Sequence, residues 1–291
     1  MHWQPVTEHR FMLAEGPFWD RETLALYWVD IAARLACRLV DGHFRKWRMP
    51  EAVSAFIPTH TGDALVTLAS GVYRLDLDSP ADEPRLRLLC VADPVSGNRA
   101  NEARCDAQGR LWLGTMQNNI GEQGEDLPVE QRSGGLFRID PDKRVTPLLR
   151  NLGIPNTLLW SDDGTRVFFG DSLDGTLYQH FINTDGSLDT AYVWYGPDQR
   201  GGPDGSAMDA EGFIWNARWD GSCLLRLSPE GKVDRVIELP VSRPTSCVFG
   251  GPDLKTLYIT SAASPKKHLL DGAVLAIELD VVGKPCTRFA G

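Results

Sequence analysis

One short unit recurs six times along this chain, and a repeat of that kind leaves few architectures open. The unit begins with a polar residue, continues through a short apolar strand to a D-x-x-G or D-G turn, and returns in a second strand that ends in small residues. Its clearest copies are NEARCDAQGRLWLGT from Asn101, NTLLWSDDGTRVFFGD from Asn156 and DGSAMDAEGFIWNAR from Asp204. Two more divergent copies start at Glu15 and Pro244, and a sixth starts at Val53. The third residue of each apolar triplet serves as a marker: Trp28, Val66, Trp112, Phe168, Trp215 and Tyr258. These are spaced by roughly 40 to 55 residues, the period of four-stranded propeller blades.

No long stretch carries a 3.6-residue apolar period, whereas β-branched and aromatic runs alternate with Gly, Asp, Pro and Asn clusters throughout. Third strands follow the markers, entered through a glycine in most copies: from Gly71, Gly135, Gly175, Ser222 and Gly272. The expected fold is all-β, a six-bladed β-propeller of four-stranded blades occupying residues 1–291 as a single domain. A β-sandwich of similar length is the competing architecture, but it has no reason to repeat the same polar-strand-turn-strand order six times. The Gly-His and Trp-Asp signatures of WD40 repeats are missing. The segment from Pro5 to Met12 precedes the first copy, so it is expected to give the last blade its outer strand and close the ring, hiding two sheet edges. Trp28, Trp112 and Trp215 recur at the marker and are expected to pack between blades.

Composition removes several classes of function. A net charge of −9 argues against a nucleic-acid partner, which would need a basic stripe. No window approaches the length needed to span a bilayer, so no membrane role is expected. Six cysteines without any C-x-x-C pair read as reduced, mostly buried thiols, and with no apolar leader at the start the expected location is the cytoplasm. The protein is expected to be a monomer or a weak homo-oligomer.

In a propeller the first strand of every blade lines the central channel, so residues at one register in different blades converge on its mouth. Glu15, Asn101, Asn156 and Asp204 share that register in four blades. Asn and Asp are also common turn formers. Here the turns of their copies are already supplied by Asp162-Asp163-Gly164 and by Asp209-Ala210-Glu211-Gly212. Convergent carboxylate and amide oxygens form a hard ligand set suited to one divalent cation, Ca²⁺, Mg²⁺ or Mn²⁺, with Zn²⁺ also acceptable. The six histidines are isolated and outside this register, and no G-x-S-x-G elbow, P-loop or dinucleotide fingerprint is present.

The segments LAEGPFW, NRAN with the following DAQGRLWLGTM, IPNTLLWSDDG, PDGSAMDAEGFIW and RPTSCVFGG together resemble the senescence marker protein, regucalcin and gluconolactonase family, over essentially the whole chain. The resemblance implies a divalent metal held by Glu15, Asn156 and Asp204, and substrate contacts from Arg99 and Asn101, with the adjoining Glu102 placed beside them. It further implies hydrolysis of a sugar lactone, with the metal polarising the carbonyl. Asp204 is then the expected base for the attacking water, unless the cation itself activates that water. Arg99 could favour an acidic or sulfonated sugar. The alternatives are a propeller that binds Ca²⁺ or another ligand without turnover, and a metal-dependent esterase or phosphotriesterase.

Two departures from the family pattern bear on substrate choice. Asn101-Glu102-Ala103 stands where the family usually reads N-D-G, and Pro155-Asn156-Thr157 where it usually reads P-N-G. Glu102 is longer than Asp, and Thr157 is expected not to take the positive φ open to glycine. The long polar segment Gln117–Ser133 is expected to be a lid over the mouth, the alternative being a surface hairpin.

Overall fold

Each repeat folds as the strand pair its pattern demands, and four strands follow one another outward before the next repeat begins. The computed structural model describes residues 3–198, 200–266 and 268–291. Among them are 24 strands and no helix, arranged as six antiparallel four-stranded sheets. Blade 1 runs through Ala14–Asp20, Ala25–Asp30, Leu35–Val40 and His43–Arg48. The inner strands of blades 2 to 6 are Val53–Pro58, Asn98–Cys105, Pro155–Trp160, Gly202–Met208 and Arg243–Gly250. Each inner strand touches the next, and that of blade 6 touches that of blade 1, so the ring is closed as a six-bladed β-propeller. No helix among the described residues is long and apolar enough to cross a membrane.

All six markers lie in second strands. Five are buried, and the sixth, Tyr258, stacks on Trp19 at 5.4 Å. The turn aspartates explain how the marker is held. Asp106 accepts the backbone N–H groups of Gln108 and Arg110 on one oxygen, and the other oxygen accepts the Trp112 indole N–H at 2.8 Å. Asp209 repeats the arrangement with Glu211, Phe213 and Trp215, and additionally pairs with the Arg226 guanidinium at 2.8 Å. One carboxylate thus completes a turn and satisfies a buried indole that would otherwise lack a partner.

The N-terminal segment closes the ring, but earlier in the chain than expected. The outer strand of blade 6 is Gln4–Pro5, paired with Ala276 and Leu275. Proline has no N–H to donate, so regular pairing ends there. Residues 6–13 then cross from the rim to the inner strand of blade 1, tied by Val6 to Val274 and by Phe11 to Gly272. All six cysteines are free thiols, four of them buried.

Candidate functional site

Every inner strand slips its register against the second strand near its start. The slips fall between Glu15 and Phe18, Val53 and Ala55, Ala100 and Ala103, Asn156 and Leu158, Pro203 and Ser206, and Pro244 and Ser246. A bulge leaves residues outside the ladder and re-aims their side chains. Here the re-aimed residues carry the site. Glu15, Asn101, Asn156 and Asp204 line one cavity of about 490 Å³ at the channel mouth, together with Arg99. The four residues read from the shared register are therefore brought together.

A continuous polar network fixes them. Arg99, buried, donates to Asn119 Oδ1 at 2.6 Å and to Asn101 Oδ1 at 2.8 Å. Asn101 in turn donates to the Pro155 carbonyl at 2.9 Å and to Asn156 Oδ1 at 3.2 Å. Asn156 Nδ2 donates to Ser172 Oγ at 2.8 Å, which fixes its amide so that Oδ1 faces Asn101. Below Asp204, Asn216 donates to the Asp204 carbonyl at 2.9 Å and is itself held by the fully buried Arg218. Ser172, Asn119 and Asn216 had no signal in the repeat pattern. Asn119 alone was approachable, because it lies in the long polar segment.

The Glu15 and Asp204 carboxyl groups line the same cavity, near enough for each to shift the other's ionisation. Burial pushes Glu15 up from 4.5 to about 8, reinforced by the charge of Glu102. Asp204 rises well above the usual carboxylate range through burial and the charges of Glu15 and Glu102. Burial lowers Arg99 to about 10, where it is still a cation at neutral pH. Two such carboxyls cannot both ionise without a positive charge between them, whether a proton or a cation. No group of three His, Cys, Asp or Glu side chains able to hold a metal occurs among the described residues. A cation here would need the Asn156 amide as its third protein ligand. That oxygen accepts a bond from Asn101 and keeps a second lone pair.

Two expectations need correction. Glu102 does not stand with Arg99 and Asn101 at the mouth. Asn101 and Glu102 are the two residues the bulge leaves out of the ladder, and while Asn101 lines the mouth cavity Glu102 lines a second cavity, of about 300 Å³, deeper in the channel. There it faces Arg104 at 3.6 Å. Thr157 does take the conformation it was expected to avoid: its φ is +49°. The segment Gln117–Ser133 crosses the mouth. Asn119, Ile120, Gly124 and residues 126–129 line the cavity, and the Glu122 carbonyl accepts a bond from Arg34 of blade 1 at 3.1 Å.

The model of the SMP-30/Gluconolactonase/LRE-like region matches residues 13–263. A 6-deoxy-6-sulfogluconolactonase of Pseudomonas putida is 33% identical over 296 residues, covering 98% of both chains. A regucalcin of Gallus gallus is 30% identical over 299 residues, covering 98% of this chain and 97% of that one. The crystal structure of a calcium-binding regucalcin from Agrobacterium tumefaciens superposes with a TM-score of 0.88 at 26% identity, covering 99% of this chain and 97% of that one. From its six bulged inner strands to its sequence relatives, the chain belongs to the SMP-30/gluconolactonase/LRE-like family.

Proposed function

We propose that the protein hydrolyses a sugar lactone to the sugar acid, using one divalent cation held by Glu15, Asn156 and Asp204. The observation that carries this reading is the convergence of those three oxygen-bearing side chains, from blades 1, 4 and 5, on the floor of a cavity that also holds Arg99 and Asn101. The donor chemistry fits. Two carboxylates compensate a divalent charge, their burial makes an added positive charge favourable, and an oxygen-only set suits a hard ion. The names of the Pseudomonas putida relative and of the Agrobacterium tumefaciens structure support the lactone and the cation respectively.

When bound, such a cation supplies Lewis-acid polarisation of the lactone carbonyl and offsets the two carboxylate charges. Asp204 takes a proton from the attacking water as the water oxygen bonds to the carbonyl carbon. The tetrahedral centre then collapses, the bond from that carbon to the ring oxygen breaks, and the proton on Asp204 passes to the leaving ring oxygen. Arg99, oriented by Asn119 and Asn101, presents its charge to a substrate oxygen. Asn101 is oriented by Arg99 and Pro155 for the same purpose. Segment 117–133 limits bulk water above the reacting carbonyl.

The test is acid release from a panel of aldonolactones, corrected for spontaneous opening, with the cation added or chelated. Chelation and Asp204→Asn should each lower turnover by roughly 100- to 10,000-fold while circular dichroism is unchanged. Wild-type turnover in either sample defeats the reading. Cation binding without turnover on any lactone, ester or phosphotriester would mark a binding propeller.

A further inference from the structure

Among the described residues, nine that are not glycine have positive φ. Eight of these lie in turns or on the outer strand Val145–Leu152. Thr157 is the exception. It sits at the bulge of the blade 4 inner strand, directly after Asn156, and is fully buried. A β-branched side chain is poorly suited to the left-handed region, so such a backbone persists only where surrounding contacts impose it. The structurally equivalent residue after Glu15 is Gly16, with φ +56°, which meets the same backbone demand without strain.

What Thr157 has and Gly16 lacks is a hydroxyl, and the hydroxyl is fully used. Its Oγ1 donates to the carbonyl of Asp204 at 2.6 Å and lies 2.7 Å from Ser206 Oγ. Asn216 completes the cluster with bonds to the Asp204 carbonyl and Ser206 Oγ, both at 2.9 Å. One residue therefore ties the site strands of blades 4 and 5. The bulge of blade 6 repeats the device without the unusual backbone: Thr245 Oγ1 donates at 2.6 Å to the carbonyl of Ala14, the residue before Glu15.

We propose that Thr157 is a positioning residue whose hydroxyl staples the bulge carrying Asn156 to the backbone of Asp204, fixing the separation of these two cation ligands. This rests on the cation reading of the site given above. A bulge free to move would still leave Asn156 and Asp204 in place on average but would widen the range of their separations, and affinity for an ion with fixed oxygen distances would fall. Thr157 exchanges backbone comfort for ligand geometry, so fold stability and cation affinity should respond to its replacement in different ways.

The experiment is calorimetric titration of chelator-treated protein with Mn²⁺ and with Ca²⁺, beside thermal melts of the cation-free forms. Thr157→Gly removes both the strained side chain and the staple. Its cation-free form should melt within a few degrees of wild type while affinity for both ions falls roughly 10- to 100-fold. Thr157→Ser keeps the hydroxyl and should stay within about threefold of wild type. Thr157→Val removes the hydroxyl at constant shape and should lose affinity as the glycine variant does. Wild-type affinity in Thr157→Gly, or equal loss in Thr157→Ser and Thr157→Gly, overturns the staple. A wild-type protein that binds neither ion overturns the cation reading and the staple together, so the two failures are told apart.

Discussion

In its cation-free form this protein should become less stable as pH rises from 5 to 8, the reverse of what a surface carboxylate does. Glu15 has its pKa raised from 4.5 to about 8 in the folded, cation-free site, so between those values the folded chain holds a proton that the unfolded chain has released. Stability from this group is thus present below pH 4.5 and lost as pH climbs to about 8. The full shift corresponds to about 5 kcal/mol at ~1.4 kcal/mol per pH unit. Glu15 is partly open to the cavity it lines, so about 2 kcal/mol is the expected share. At roughly 2 °C per kcal/mol for a chain of this size, the melting temperature should fall by about 4 °C. The assay is scanning calorimetry of chelated protein between pH 5 and 8, with Glu15→Gln as reference, because glutamine has no proton to lose. Saturating Ca²⁺ should abolish the difference, since the ion takes the place of the proton. Parallel pH curves for the two chelated proteins would refute the reasoning.

Other outcomes follow from single contacts. Gly205→Ala would drive a methyl into Ser246 of blade 6 and displace the Asp204 bulge. It should cost about 1–3 kcal/mol in urea unfolding and at least about tenfold in cation affinity, and unchanged values would show that the bulge has room. Asp209→Ala leaves the Arg226 guanidinium and the Trp215 indole short of a partner, for about 3 kcal/mol, with lactone turnover per folded molecule unaltered. If segment 117–133 closes over substrate, a bound aldonate should slow limited proteolysis there several-fold; equal cleavage rates would count against closure.

The ring was legible because its signal is redundant. Six copies each carry a turn and an apolar marker, so errors in any one copy do not move the blades. The shared register of Glu15, Asn101, Asn156 and Asp204 was legible for the same reason. What escaped depended on single residues in three dimensions. The direction of Glu102 is set by a bulge whose position the sequence does not mark. The φ of Thr157 goes with partners in the neighbouring blade, 47 and 49 positions away for its hydroxyl, and no local propensity anticipates that. Ser172 enters the site only because the second strand of blade 4 ends beside Asn156.

The closure at Gln4–Pro5 has a kinetic consequence. Blade 6 needs residues near both ends of the chain, so its last strand pairing spans about the largest sequence separation available. Pairings of that kind are slow, because the entropy of closing the loop is lost before any contact compensates it. Five blades can assemble from neighbouring strands, whereas the ring waits for the sixth. Glu15 lies just beyond that seam, and the Ala14 carbonyl before it is held by Thr245 of blade 6. The relation of Glu15 to Asp204 therefore depends on that long-range closure, and a chain with an open seam would carry both carboxyl groups without bringing them together.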